Sequence, residues 1–192
     1  MELKDFFILD PRFDLQFRLT LITGPVRSGK TRLALDMARS FPPPRLYLAT
    51  AQALDEEMAV RIQKHRAERG EDFLTVEEPL KISAHLRETG KAVTVVVVDC
   101  LTLWLSNLLG QGEEKGQEIG DKFQELTETL KGMNTPAILI GNEVGWGIVP
   151  ENPLARTFRD LSGRLQQEIA LMADQVILMV AGIPWPVKGG RG

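Results

Sequence analysis

The chain has 192 residues, 43 % of them hydrophobic, with a formal net charge of −3 and a pI near 5.5. That length supports one well-packed domain, and the acidic balance gives no general attraction to DNA, RNA or acidic lipid, so no nucleic-acid partner is expected. With no apolar run long enough to span a bilayer, no signal-peptide order in Met1-Glu2-Leu3-Lys4-Asp5 and one cysteine, the expectation is a cytoplasmic protein without membrane insertion.

The first 17 residues carry Phe6-Phe7-Ile8-Leu9, Phe13 and Phe17 and read as an N-terminal extension, either an added edge strand or a packing arm, before a single domain over 18–192. A strand is predicted from Leu19 to Thr23. Directly after it stands Gly24-Pro25-Val26-Arg27-Ser28-Gly29-Lys30-Thr31, which has the spacing G-x-x-x-x-G-K-[ST]. Glycines let the backbone curl so that successive N–H groups face a polyphosphate, and the helix that follows adds its positive N-terminal end. In such a loop Lys30 reaches the β- and γ-phosphates and the Thr31 hydroxyl holds Mg²⁺. Nucleotide binding follows from this stretch alone.

A helix is predicted from Thr31 to Ser40 with Leu33, Met37 and Ala38 inward, stopped by Pro42-Pro43-Pro44. Further strands are predicted at Arg45 to Thr50, Ala92 to Asp99, Ala137 to Gly141 and Val176 to Val180. Helical patterns lie between them. They cover Asp55 to Arg69, a segment from Leu101 to Leu108, a stretch with Ile119, Phe123, Leu126 and Leu130 on one face after the polar loop Gly110 to Gly116, and Leu154 to Met172. Strands alternating with helices argue for βαβ units and an α/β fold with a mostly parallel central sheet, helices on both faces. Val95-Val96-Val97-Val98 shows no alternation, as a central strand covered on both faces should.

Asp99 ends the valine-rich strand, where open α/β sheets place their ligands, and a carboxylate there holds Mg²⁺ through water; an N-cap for the next helix is the plainer alternative. Glu143 takes the matching place after the Ala137 strand and precedes Val144-Gly145-Trp146-Gly147-Ile148-Val149-Pro150, a segment that can close over a substrate or form an ordinary turn. On the helix from Asp55, Met58, Ile62, His65 and Arg69 share one face, and Arg61, Arg66 and Arg69 surround the imidazole with guanidinium groups suited to phosphate. His85 has no such company and reads as structural. Cys100 reads as a small core residue. Arg156, Arg159 and Arg164 read as a solvated face, with a phosphate or subunit contact as the alternative.

Several stretches together resemble the bifunctional adenosylcobinamide kinase / adenosylcobinamide-phosphate guanylyltransferase family of cobalamin biosynthesis. The resemblance runs from about Thr20 to Lys188. It rests on Ile22-Thr23-Gly24 with Arg27-Ser28-Gly29-Lys30, on Tyr47-Leu48-Ala49-Thr50-Ala51, and on Asp55-Glu56-Glu57-Met58 with Arg61-Ile62 and His65-Arg66. It continues through Asp99-Cys100-Leu101-Thr102-Leu103-Trp104, Asn142-Glu143-Val144-Gly145 with Gly147-Ile148-Val149-Pro150, and Arg156 with Phe158-Arg159-Asp160.

The resemblance implies a RecA-like phosphate-loop fold, a homotrimer with the site near a subunit boundary, and two reactions. One moves the γ-phosphoryl group of a nucleotide, ATP or GTP, to the hydroxyl of adenosylcobinamide. In the other, His65 attacks the α-phosphate of GTP, carries GMP as a phosphoramidate and passes it to adenosylcobinamide phosphate. The implied nucleotide contacts are Gly24, Pro25, Val26, Arg27, Ser28, Gly29, Lys30 and Thr31, then Ala49, Thr50 and Ala51, then Arg66, Ala67, Glu68 and Arg69, with Glu77 and Asp99 completing the site. Lys30 joins His65 as catalytic, and Thr31 and Asp99 hold Mg²⁺. Glu78 competes with Glu77 as its neighbour. Pro25 stands where a second glycine is common and removes one N–H from the loop, and Thr31 replaces a serine. Two other functions remain compatible with the phosphate loop: a single-function small-molecule kinase, and a RecA-like nucleotide-dependent assembly module.

Overall fold

The computed structural model describes residues 17–53, 55–110 and 116–189. Seven strands form one sheet: β1 (Leu19–Thr23), β2 (Arg45–Ala49), β3 (Leu74–Glu77), β4 (Val95–Asp99), β5 (Ala137–Ile140), β6 (Gln175–Val180) and β7 (Ile183–Lys188). Among the described residues six helices accompany it: α1 (Lys30–Arg39), α2 (Glu56–Arg69), α3 (Ile82–Thr89), α4 (Leu101–Gly110), α5 (Gly116–Gly132) and α6 (Pro153–Met172). The strand order is β3-β2-β4-β5-β1-β6-β7, parallel throughout except for the antiparallel pair β6 and β7.

Apolar side chains are buried on both faces of the sheet. Val96 and Val98 join one core with Trp104, Phe123, Leu126 and Leu165, whereas Val95 and Val97 join the other with Leu33, Leu35, Tyr47 and Ile177. An uninterrupted valine run therefore serves two cores by simple alternation, each side chain contributing about 1.5–3 kcal/mol on burial. The inward residues predicted for α1 and α5 are all buried.

The ends of the elements follow local chemistry. Asp55 Oδ1 accepts the Met58 N–H at 2.7 Å and starts α2, and Asn152 accepts from Ala155 N–H to start α6 with Pro153 in its first turn. Lys188 Nζ donates to the carbonyls of Ala170 and Leu171, so the end of β7 satisfies the last turn of α6.

Three elements lie outside the sequence expectation. β3 and β7 are edge strands whose half-exposed sequences, LTVE and IPWPVK, lack a continuous apolar run. α3 is only eight residues long, too short for a clear period. The strand expected from Ala92 begins at Val95, because Gly90–Ala92 forms a 3₁₀ turn. Phe17, assigned to the extension, packs edge-to-face on Phe41 within the core; the predicted arm over Phe6 to Phe13 lies outside the described residues, as does the polar loop over 111–115. No helix is long and apolar enough to cross a membrane among the described residues.

Candidate active site

The carboxyl ends of β1, β4 and β5 lie side by side, since β5 pairs with both β1 and β4. This brings the phosphate loop, Asp99 and Glu143 to one edge of the sheet, as the sequence positions implied. Within the loop Gly24 has φ +141, and a Cβ there would overlap the Met179 carbonyl of β6. Gly29 has φ +98 and turns the chain into α1.

Lys30 is buried and its ammonium donates to the Gly24 carbonyl at 2.9 Å and the Pro25 carbonyl at 2.7 Å. Burial lowers its pKa, opposed by the nearby Cys100, Asp99 and Glu143. Thr31 Oγ1 donates to Asp99 Oδ2 at 2.8 Å. A hydroxyl and a carboxylate at this spacing are hard oxygen donors of the kind Mg²⁺ takes alongside nucleotide phosphates. Among the described residues no cluster of three or more His, Cys, Asp or Glu offers a protein-only metal cage.

Asp99 Oδ2 also accepts from the phenol of Tyr47 at 2.5 Å. Arg69, on the helix face of Met58, Ile62 and His65, is buried, its guanidinium 4.0 Å from the centre of the Tyr47 ring. The reason is packing: the last turn of α2 faces the Tyr47 side of the core, and the flat guanidinium covers the ring. Arg66 stays exposed, with Nη2 3.5 Å from Glu77 Oε1. His65, Ala67 and Glu68 belong to the last turns of α2; their side chains lie outside the described residues.

Glu77 and Glu78, indistinguishable in the sequence, have different surroundings. Glu78 Oε1 accepts the N–H groups of Leu80 and Lys81 at 2.9 and 2.8 Å, and Oε2 lies 3.4 Å from His85 Nδ1. That carboxylate shapes the turn into α3, and His85 stands against it in a structural position. Glu77 is left at the carboxyl end of β3, beside Arg66. Thr50, expected to touch nucleotide, has its hydrogen-bonding groups engaged within the protein. Its hydroxyl donates to Cys100 O and accepts from Cys100 N, its N–H donates to Asp99 O, and its carbonyl accepts from Asn107. Thr50 thus clasps the ends of β2 and β4 together. Ala49 and Ala51 flank this clasp.

Cys100 is a core residue, its thiol pushed up to about 12 by burial. The arginines of α6 are not simply solvated. Arg159 donates to the carbonyls of Gly145 and Ile148, and Arg156 to those of Pro150 and Glu151, so both fasten the loop after Glu143; Arg164 pairs with Glu168 one turn on. Held this way, the loop presents Trp146, Ile148 and Val149 outward. Thr23 Oγ1 lies 2.6 Å from both Glu143 Oε1 and Gln166 Oε1, and neither Thr23 nor Gln166 carries a sequence signal of a role here.

The family model of cobinamide kinase / cobinamide phosphate guanyltransferase matches residues 20–187. The chain belongs to that family. The cobinamide kinase / cobinamide phosphate guanyltransferase match spans both the phosphate loop and the edge pair β6 and β7, so membership makes the chain an enzyme with the kinase and guanylyltransferase character of that family. The bifunctional adenosylcobalamin biosynthesis protein CobP of Pseudomonas aeruginosa is 44 % identical over 169 residues, covering 88 % of this chain and 96 % of that protein. The corresponding protein CobU of Escherichia coli is 38 % identical over 181 residues, covering 88 % and 99 %. Among solved structures, the flagellar accessory protein FlaH from Methanocaldococcus jannaschii superposes with a TM-score of 0.50 at 14 % identity, covering 89 % of this chain and 78 % of that one. That likeness is one of fold, the RecA-like phosphate-loop architecture.

Proposed function

We propose that this enzyme phosphorylates adenosylcobinamide and then transfers GMP from GTP to adenosylcobinamide phosphate through a guanylyl-histidine at His65, giving adenosylcobinamide-GDP. The observation that carries the reading is the tie between α2 and the phosphate site. Arg69 packs on Tyr47, and Tyr47 bonds the Asp99 that faces Thr31. The helix bearing His65 is thereby joined to the strand that ends beside the triphosphate anchor.

In this reading the loop from Gly24 to Thr31 cradles the phosphates and Lys30 neutralises charge between the β- and γ-groups. Arg66 and Glu77 line the nucleotide edge of α2 and β3, while Thr50 and Arg69 position the strands and helix behind it. Mg²⁺, held by Thr31 and by Asp99 through water, supplies charge neutralisation on the phosphates when bound. ATP or GTP serves the kinase step, and GTP the guanylyl transfer. A neutral imidazole is nucleophilic near pH 7, and the P–N bond it forms is labile enough to pass GMP onward. The phosphate of adenosylcobinamide phosphate arrives as an anion and attacks without help from a base.

The same reading has the enzyme acting in the cytoplasm as a homotrimer. The exposed row Ile183, Trp185 and Val187 along β7 offers apolar surface that a subunit contact would cover, and sedimentation of the purified chain tests the state. GTP labelled at the α-phosphate tests the covalent step. Acid-labile, base-stable label on the protein is expected, absent from His65→Ala, which keeps part of its phosphorylating activity. Wild-type protein that turns over without acquiring label refutes the intermediate and leaves a single-function kinase.

A further inference from the structure

Glu143 follows β5 and makes none of the nucleotide contacts assigned above. Its N–H donates to the Gly24 carbonyl at 3.1 Å, which fixes it against the phosphate loop. Its carboxylate is one of the charges acting on the Lys30 ammonium, the group that reaches the β- and γ-phosphates. Glu143 therefore stands beside the phosphate loop, within electrostatic reach of Lys30.

The hydrogen bonds around its carboxyl group have an unusual form. Thr23 Oγ1 lies 2.6 Å from Glu143 Oε1 and 2.6 Å from Gln166 Oε1. Gln166 Nε2 donates to the Asn142 carbonyl at 3.1 Å, so its Oε1 is an acceptor. The Thr23 hydroxyl has one proton for two acceptors. With Glu143 ionised, that proton points to the carboxylate. With Glu143 protonated, the carboxyl proton points to Thr23 Oγ1 and the hydroxyl turns toward Gln166. Both forms of Glu143 find a hydrogen-bonded partner through rotation of one O–H, without displacement of a heavy atom. A group that accepts and releases a proton in every turnover needs this property, because a form left unpaired in a partly buried site is destabilised by its lost hydrogen bond.

We propose that Glu143 is the general base of the phosphoryl-transfer half of the reaction, with Thr23 and Gln166 as positioning residues that accommodate its protonated and ionised forms. The proposal rests on the kinase reading above. The acceptor hydroxyl oxygen attacks the γ-phosphorus and a new O–P bond forms. The bond from the γ-phosphorus to the bridging oxygen breaks, its electron pair leaving on the nucleoside diphosphate, and the hydroxyl proton passes to the Glu143 carboxylate. The proton is returned to solvent after product leaves. Guanylyl transfer makes no such demand, since its acceptor is already an anionic phosphate. One enzyme thus needs a base for one acceptor and none for the other.

The test compares Glu143→Gln with wild type in both halves. Phosphorylation of adenosylcobinamide by the variant should fall in kcat by about 100- to 10,000-fold, with the nucleotide KM held within about twofold. Formation of α-labelled protein should persist, which verifies the folded nucleotide site. Thr23→Val should lower the phosphorylation kcat by about tenfold at unchanged KM, and Thr23→Ser should restore it. Retention of more than about a tenth of the phosphorylation kcat by Glu143→Gln overturns the proposal, as does joint loss of phosphorylation and labelling. Wild-type protein that labels yet phosphorylates no adenosylcobinamide overturns the kinase reading, and this proposal with it.

Discussion

The phenol of Tyr47 donates to the same carboxylate oxygen of Asp99 that accepts from the Thr31 hydroxyl at 2.8 Å. Oδ2 of Asp99 is thereby held between the first turn of α1 and the middle of β2. The Arg69 guanidinium covers the Tyr47 ring from α2, so three elements converge on one carboxylate. An acidic group fixed from several sides keeps its orientation, which is what preorganisation of a charged site requires.

Tyr47 is the only tyrosine of the chain, so phenolate absorbance reports it alone. Its pKa is raised well above 10.0 by burial, then by the charge of Asp99. A folded value above the unfolded one contributes stability that is complete below pH 10 and is lost as pH rises beyond it. The native protein should show no phenolate near pH 10, and the signal should appear on unfolding. Native titration at the ordinary value would contradict the buried bond. Tyr47→Phe keeps the ring under Arg69 and should cost about 1–2 kcal/mol by denaturant melting.

Cys100 is the only thiol and is buried with its pKa near 12. At pH 8 about one molecule in ten thousand carries the thiolate. Alkylation should therefore be negligible in the native state and prompt in denaturant, read by mass. Rapid native modification would mean that the ends of β2 and β4 open.

Two glycines should respond in opposite ways to alanine. Gly24→Ala drives a methyl into the Met179 carbonyl at φ +141 and should cost at least about 2 kcal/mol. Gly163 lies inside α6, where a Cβ meets nothing within 4 Å. Gly163→Ala should stabilise by about 0.5–1 kcal/mol. Denaturant midpoints of the two variants compare them directly.

Arg159→Ala removes the bonds to Gly145 and Ile148 that hold the loop after Glu143. Global stability should change by less than about 1 kcal/mol, because the guanidinium is exposed. Limited proteolysis should shift to cleavage within residues 144–150, where Trp146 and Ile148 are already outward. An unchanged cleavage pattern would show that Arg156 alone secures the loop.

Much of the site could be read directly from the chain. The phosphate loop is legible because its backbone conformation demands glycine at fixed spacing, and β4 because a strand buried on two faces needs Val95 to Val98 without alternation. The α2 cap at Asp55 and the α6 start at Asn152-Pro153 are likewise local. Contacts between residues distant in the chain are not legible in this way. The burial of Arg69 against Tyr47, 22 residues earlier in the chain, is one such contact. The bonds of the Thr50 hydroxyl to the Cys100 backbone are another.

Nucleotide binding, a mostly parallel sheet and the sharing of one helix by His65, Arg66 and Arg69 are all legible in the chain of residues. These follow from short-range rules of backbone geometry and periodicity. The folded arrangement is what ties Glu78 to a turn while Glu77 stands beside Arg66, and what sets Arg156 and Arg159 of α6 to hold a loop. It alone brought Thr23, Glu143 and Gln166, from β1, the end of β5 and α6, into one hydrogen-bonded row. Such relationships depend on which strands become neighbours, and that is settled by burying the whole sheet between its two cores rather than by any local stretch of residues.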